Sequence, residues 1–229
     1  MERFIMQDLI AWKNREDRKP LILLGARQVG KTYILKEFGQ REFENVAYIN
    51  CDNNAMAKDL FASDYNIDRI LLTIGAITGV NIEAGKTLII MDEIQELYRG
   101  LASLKYFCEN AREYHVAVAG SLLGLSLHQG ESYPVGKVNT LEMYPMTFEE
   151  FLWARGFKQR MDLLQHGMWD VVKSLRTLYI QHLREYYLVG GMPEAVNKFI
   201  ETNDANAVRE VQEEIIRAYV TIALYRYQA

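Results

Sequence analysis

The sequence predicts an α/β protein with a parallel sheet flanked by helices, followed by a small helical domain. Short apolar runs alternate with segments long enough for a crossover helix, an alternation typical of parallel sheets. The strand-like runs stop near residue 156, and helical spacing continues from there. The first strand also runs directly into a glycine-framed turn that carries Lys31. We therefore predict a core over residues 1–156 and a helical domain over 157–229.

The predicted elements follow in chain order. Residues 1–18 form an amphipathic helix, because Ile5, Leu9 and Trp12 recur at helical spacing among charges. The strand-like runs are PLILL (20–24), NVAYIN (45–50), TLIIM (87–91) and HVAVAG (115–120). Beyond residue 156, helical spacing is shown by Val171, Leu175, Leu178, His182 and Tyr186, and again by Val208, Val211, Ile215, Tyr219 and Ile222.

Composition excludes several classes of protein. Lysine and arginine number 26 against 30 acidic residues, and the net charge of −4 disfavours a broadly basic surface that coats nucleic acid, although a local patch stays open. No run approaches the roughly 18 to 20 apolar residues of a membrane span. Cys51 and Cys108 have no CxxC spacing and form no disulfide framework. We expect a reduced, cytoplasmic protein without a membrane partner.

The turn after the first strand has the spacing of a phosphate-binding loop. GARQVGKT (25–32) fits GxxxxGK(S/T) and lies between a predicted strand and a predicted helix, as this pattern requires. The glycines let backbone N–H groups turn around a phosphate, and the helix dipole favours an anion there. Lys31 supplies positive charge to the outer phosphates, and the Thr32 hydroxyl can ligate Mg²⁺. The predicted nucleotide-binding residues are Gly25, Ala26, Arg27, Gln28, Val29, Gly30, Lys31, Thr32 and Tyr33.

Two acids, Asp92 and Glu93, follow the apolar strand TLIIM. Ligands bind at the carboxyl ends of strands in open α/β sheets. We expect Asp92 to hold Mg²⁺ through water, and Glu93 to orient or deprotonate an attacking water. The alternative is that the pair caps a following helix, IQELYRGLASLKYF (94–107). The preceding phosphate loop favours catalysis.

Ser121 ends the next apolar strand, VAVAGS (116–121). A hydroxyl at that position can contact the γ-phosphate or position the attacking water, so we predict a catalytic role for it. The structural alternative is a plain turn, since Gly-Ser pairs are common at strand ends.

Five motifs occur in the order seen in a known family: GARQVGKT, LIIMDEIQ, AGSLLG, ESYPVGKVNTLEMYPMTFEEFL and GGMPEAV. On these motifs, which span essentially the whole chain, the protein resembles prokaryotic AAA-like P-loop ATPases related to the STAND-type signalling ATPases. The resemblance implies a P-loop NTPase fold of the additional-strand, Asp-Glu type, with a helical lid after the core. Relatives typically continue into a restriction-endonuclease-like domain, whereas this sequence ends AYVTIALYRYQA at Ala229. We expect the functions of that domain to lie outside this chain.

The resemblance adds two candidate residues. Lys137, in PVGKV, stands where relatives have Arg or Lys, which implies a phosphate-sensing or finger role in cis or in trans. A lysine after Gly136 between two strands is also typical of a solvated turn. Pro193, in GGMPE, resembles a lid proline that lies over the nucleotide. The same residues are equally a helix stop followed by a helix start.

Together these residues predict a slow ATPase. We expect a module that binds ATP and Mg²⁺, hydrolyses ATP, and couples its nucleotide state to the helical lid and to a protein partner, with oligomer formation left open. The alternative is a nucleotide-gated DNA- or protein-binding module with little hydrolysis, although the charge gives nucleic-acid binding no support. A GTPase is disfavoured, because no Asn-Lys-x-Asp segment follows a strand and Asp-Glu replaces Asp-x-x-Gly.

Overall fold

The computed structural model describes residues 1–52, 54–58, 60–61, 64–121 and 133–227. Five strands form one sheet in the order β2-β3-β4-β1-β5, and every neighbouring pair is parallel. The strands are Leu21–Gly25 (β1), Asn45–Asn50 (β2), Thr87–Asp92 (β3), His115–Ser121 (β4) and Asn139–Met143 (β5). The predicted parallel α/β sheet is therefore confirmed.

Helices connect the strands and make up the C-terminal part of the chain. They are Ile5–Lys13 (α1), Lys31–Glu42 (α2), Ala55–Lys58 (α3), Ile67–Thr78 (α4), Gly100–Asn110 (α5), Phe148–Ala154 (α6), Lys158–Gln165 (α7), Trp169–Ser174 (α8), Arg176–Val189 (α9), Pro193–Thr202 (α10) and Ala205–Tyr227 (α11). Among the described residues, no helix combines the length and the apolar character needed to cross a bilayer.

The chain divides into two compact units. One comprises Phe4–Tyr144 and contains the whole sheet; the other comprises Met1–Arg3 together with Pro145–Ala229. This division places α6 in the helical unit, whereas the boundary predicted from the sequence lies after residue 156.

The core of the sheet-containing unit explains why its strands are so apolar. All six residues of β3 are buried, since helices cover both faces of a parallel sheet. The N-terminal helix predicted over residues 1–18 is present as the shorter helix α1, Ile5–Lys13, with Ile5, Leu9 and Trp12 buried. The Trp12 ring packs 6.2 Å from that of Phe38 in α2.

The helical unit has an apolar core of its own. Its buried side chains include Phe151, Val189, Val196, Phe199 and Val208. Helix α6 begins with a capping box, in which the Glu150 N–H donates to the Thr147 hydroxyl at 3.2 Å and the Thr147 N–H donates to the Glu150 carboxylate at 3.0 Å. Glu150 also forms a buried ion pair with Arg3, at 3.1 Å.

Three elements differ from the sequence prediction. β5 was not assigned a range from the sequence, because NTLEM alternates polar and apolar residues rather than forming an apolar run. The helix predicted directly after Glu93 is interrupted: a 3₁₀ turn spans Ile94–Glu96, and α5 starts only at Gly100. The first C-terminal helical pattern is also divided, at Leu175, between α8 and α9.

Candidate active site

The phosphate loop joins β1 to α2 and depends on two glycines. Gly30 has a φ of 94°, in the left-handed region that favours glycine. At Gly25 a larger residue is excluded for lack of space, because a Cβ there would lie 2.4 Å from the carbonyl oxygen of Met143 on β5. The backbone therefore turns sharply at one glycine and passes close to a neighbouring strand at the other.

The loop ends at the N-terminus of α2, which no side chain caps. The Ile34 N–H donates to the Gly30 carbonyl at 3.0 Å, and the helix bonds run on from there. The N–H groups of the first turn of a helix have no acceptor within the helix. Since no side chain caps α2, these donors and the helix dipole suit an anion such as phosphate.

Lys31 is a buried cation held inside the loop. Its Nζ donates to the carbonyl oxygens of Gly25 at 2.9 Å and Ala26 at 2.8 Å. Burial lowers the pKa of Lys31, and the negative charges of Glu93 and Asp92 act in the opposite direction. The ammonium group is therefore fixed at the loop, within the influence of both acids.

Asp92 connects the end of β3 to the phosphate loop. Its Oδ2 accepts a hydrogen bond from the Thr32 hydroxyl at 2.6 Å and another from the Tyr48 hydroxyl at 3.2 Å. Its Oδ1 accepts from the Glu93 N–H at 3.2 Å. Burial and the nearby Asp92 charge raise the pKa of Tyr48 to about 12, so the phenol stays protonated and donates.

The oxygen atoms at this point suit a magnesium ion. Mg²⁺ is usually held by one or two protein carboxylates, with hydroxyl, water and substrate phosphate oxygens completing its coordination. The Thr32 hydroxyl and the Asp92 carboxylate provide such oxygens 2.6 Å apart, next to the N-terminus of α2. Thr32 and Asp92 are therefore the residues that would hold the ion.

Glu93 has a backbone conformation that is unusual for a residue other than glycine. Its φ of 52° and ψ of 46° are left-handed, and such conformations are concentrated at functional sites. Its side chain makes no capping hydrogen bond to the 3₁₀ turn; instead its Oε2 accepts from the Gln95 Nε2 at 2.5 Å. This geometry gives the capping alternative no support.

Tyr48 and Gln95 are residues of the site that sequence reasoning missed. Tyr48 lies on β2, which pairs with β3, and the Lys36 ammonium lies 3.5 Å from the centre of its ring. Nothing in the sequence of its strand, NVAYIN, distinguished Tyr48 as a partner of Asp92. Gln95 is buried in the turn after Glu93, and nothing in the sequence distinguished it from an ordinary helix residue.

The remaining candidates of this part of the chain are the other residues of the phosphate loop and Ser121. In the loop, Val29 is buried, and the side chains of Arg27, Gln28 and Tyr33 are exposed. Ser121 ends β4 in register with Gly25, but its side chain lies outside the described part of the chain.

Lys137 is not brought to the phosphate loop. It precedes β5, whose first residue pairs with the first residue of β1. Lys137 therefore lies at the amino-terminal ends of these strands, whereas the phosphate loop follows the carboxyl end of β1. Its Nζ forms an ion pair with Glu109 at 2.8 Å, and that hydrogen bond raises the pKa of Lys137. These contacts match the solvated turn and do not support a phosphate-sensing role for Lys137 within its own chain.

Pro193 begins α10 in the helical unit. The preceding helix ends at Val189, and Gly190 has a φ of 74°. The predicted helix stop and helix start are thus present.

Comparison with known proteins identifies the family. The sequence matches the AAA domain family over residues 17–152, more than half of the chain. The search of curated proteins gave no match. Among solved structures, PCH-2 of C. elegans superposes with a TM-score of 0.46 at 12% identity, over 91% of this chain and 67% of that one. The ORC1 protein of Aeropyrum pernix, solved in complex with DNA, superposes with a TM-score of 0.45 at 15% identity. The match covers 92% of this chain and 63% of the ORC1 chain, so this chain spans less than two thirds of the length of ORC1. On the family match, the parallel sheet and the phosphate loop, the chain belongs to the AAA domain family and has the α/β fold of P-loop NTPases.

Proposed function

We propose that this protein is a Mg²⁺-dependent ATPase that binds ATP at the phosphate loop and hydrolyses it slowly. The observation that carries the proposal is the 2.6 Å hydrogen bond between the Thr32 hydroxyl and the Asp92 carboxylate. This contact joins the phosphate loop to the end of β3. A buried cation, a hydroxyl and two neighbouring acids therefore converge at the N-terminus of α2.

Each of these residues has a defined role in the proposal. Lys31 and the first N–H groups of α2 bind the phosphates, while Thr32 and Asp92 hold Mg²⁺. When bound, Mg²⁺ neutralises charge that develops on the phosphates. Glu93 accepts the proton of the attacking water or orients that water, and Gln95 positions the Glu93 carboxylate. We assign Ser121 a catalytic role on its register beside Gly25.

The proposal includes coupling between nucleotide state and the helical unit. Pro193 is its candidate contact with the nucleotide, and the helical unit is its candidate lid and its link to a protein partner. This part rests on the resemblance to cytoplasmic, STAND-related ATPases that carry a further domain.

The test of the site is the substitution Lys31→Ala, studied by calorimetric titration with ATP and Mg²⁺. Loss of a charge-assisted contact of this kind should weaken ATP binding at least about tenfold. Lys158→Ala is the matched control, because Lys158 is an exposed lysine of α7 and should leave the affinity unchanged. Titration with GTP on the same samples measures base selectivity, and we expect ATP to bind more tightly. Equal ATP affinity of the wild type and Lys31→Ala would remove the phosphate loop from the proposal.

A further inference from the structure

A second pocket, separate from the candidate active site, lies beside α5. Its volume is about 450 Å³, within the range of pockets that hold small ligands. The side chains that characterise it are tyrosines and cations: Tyr65, Tyr98, Arg99, Lys105, Tyr106 and Tyr133. None of its residues contributes to the phosphate loop or to the Asp92 and Glu93 pair.

A stacked column of side chains forms one wall of this α5 pocket. The rings of Tyr65 and Tyr106 lie 4.1 Å apart and are nearly parallel, with an angle of 15° between them. The Arg99 guanidinium lies 4.2 Å from the centre of the Tyr65 ring, and its Nε donates to the Tyr65 hydroxyl at 3.0 Å. The Tyr65 ring is therefore in contact with both the Tyr106 ring and the Arg99 guanidinium. All three side chains line the pocket.

The charge of the α5 pocket contrasts with that of the chain. Its charged lining residues among those described are all positive, namely Arg99, Lys105 and Lys137. Lys137 is paired with Glu109, and the same carboxylate also acts on Lys105. Lys105 is exposed, and its ammonium lies 5.9 Å from the centre of the Tyr106 ring. A protein with a net charge of −4 therefore concentrates positive charge beside an aromatic stack.

A ligand that matches this pocket has a flat ring beside a negative charge, which is the chemistry of a nucleotide unit. We propose that the α5 pocket binds single-stranded nucleic acid, with a base stacked on Tyr106 and backbone phosphates at Lys105 and Arg99. A duplex is disfavoured because its bases are already stacked on each other. An acidic peptide supplies the charge without rings for the stack.

The direct test is fluorescence anisotropy with a labelled oligothymidylate of about 20 nucleotides and the full chain. We expect binding that weakens as salt rises, and Tyr106→Ala should weaken it about tenfold or more. Tyr106→Phe keeps the ring and should retain the wild-type affinity. Lys105→Ala should weaken binding and reduce its salt dependence, since one phosphate contact is lost. The matched controls, Tyr187→Ala and Lys158→Ala, remove exposed residues of the helical unit and should have no effect.

A second set of measurements separates this pocket from the phosphate loop. Tyr106→Ala should bind ATP as the wild type does, which also shows that the variant is folded, and Lys31→Ala should still bind the oligothymidylate. The proposal is wrong if the wild type does not bind the oligothymidylate at low salt, or if Tyr106→Ala binds it equally well. It is also wrong if Lys31→Ala abolishes binding, or if thymidine monophosphate, duplex DNA or polyglutamate binds as tightly as the oligothymidylate.

Discussion

At the scale of single residues, Asp92 is where the hydrogen bonds of the candidate active site meet. Thr32 and Tyr48 both donate to its Oδ2. If Thr32 directs its oxygen toward Mg²⁺, Tyr48 is left as the hydroxyl donor that fixes the Asp92 carboxylate. Tyr48 is therefore a positioning residue of the proposed ATPase.

Replacement of Tyr48 by phenylalanine tests this role. Loss of a group that hydrogen-bonds to a metal-binding carboxylate changes metal affinity by roughly 10- to 100-fold, so Tyr48→Phe should raise the Mg²⁺ concentration needed for half-maximal hydrolysis about tenfold. ATP binding without Mg²⁺ should not change. Tyr114→Phe, which also removes a hydroxyl from a partly buried tyrosine, is the control. An unchanged Mg²⁺ requirement in Tyr48→Phe would mean that its hydroxyl does not position Asp92.

We expect His115 to make the stability of the protein depend on pH. It is buried at the start of β4, its ring 4.8 Å from that of Phe43, and its Nδ1 has no hydrogen-bond partner among the described residues. Burial lowers the pKa of His115 to about 4, and the positive charges of Arg18 and Lys13 act in the same direction.

The sign of the effect follows from the two pKa values. The unfolded chain takes up a proton at His115 near pH 6.5, whereas the folded chain does so only near pH 4, so acid favours unfolding between these values. Between pH 7.5 and pH 5, this residue should reduce the free energy of unfolding by about 2 kcal/mol. Urea denaturation at both pH values should show a smaller decrease for His115→Phe than for the wild type. Parallel decreases would show that His115 is not the group responsible.

The phosphate loop could be predicted residue by residue, because its residues are contiguous and their spacing is the motif. Lys31 and Thr32 were identified in this way, and Asp92 was identified from its place at the end of a strand. Tyr48 and Gln95 could not be, since Tyr48 reaches Asp92 through the pairing of β2 with β3, and Gln95 reaches Glu93 through a tight turn. The spacing of residues along the sequence does not show that Tyr48 contacts Asp92 or that Gln95 contacts Glu93.

At the scale of secondary structure, purely apolar runs predicted strands correctly, whereas segments that mix polar and apolar residues did not predict their elements correctly. Strands covered on both faces, such as β3, are apolar throughout and could be read directly. The start of α5 was misplaced because Arg99 has a left-handed φ of 63° and Gly100 packs against Ile94, where a Cβ would lie 3.0 Å from the Ile94 carbonyl oxygen. Helical periodicity shows which residues share a face, but it does not reveal such a break.

Helix α6 offers a test of one element. Glu150 serves both its capping box and the buried ion pair with Arg3. Glu150→Gln preserves the cap, since an amide oxygen also accepts at this position, but removes the negative charge that pairs with the buried Arg3. We expect the free energy of unfolding of the helical unit to fall by about 3 kcal/mol, measured by urea denaturation.

Glu149→Gln is the control, because it changes the same charge one residue away on the same helix. An equal effect of the two substitutions would show that net charge, rather than the Arg3 ion pair, determines the loss.

At the scale of the whole molecule, the chain contains two units with separate cores. The phosphate loop, Asp92, Glu93 and the α5 pocket all belong to the unit of residues 4–144, and Pro193 belongs to the helical unit. The sequence predicted the parallel sheet and its candidate nucleotide site because both predictions follow from local patterns. The α5 pocket could not be predicted, since Tyr65, Arg99 and Tyr106 become neighbours only when the segment before α4 folds against α5.

The most direct test of the proposed ATPase is single-turnover phosphate release from ATP and Mg²⁺ by the wild type and Glu93→Gln, with ATP affinity measured on the same samples. Both proteins should bind ATP equally, because Glu93 acts on the water and not on the phosphates. Phosphate release by Glu93→Gln should be at least about a hundredfold slower, as expected when a general base is removed. Glu96→Gln, an exposed acid in the same turn, should release phosphate at the wild-type rate. If Glu93→Gln also released phosphate at the wild-type rate, Glu93 would not be the general base of this site.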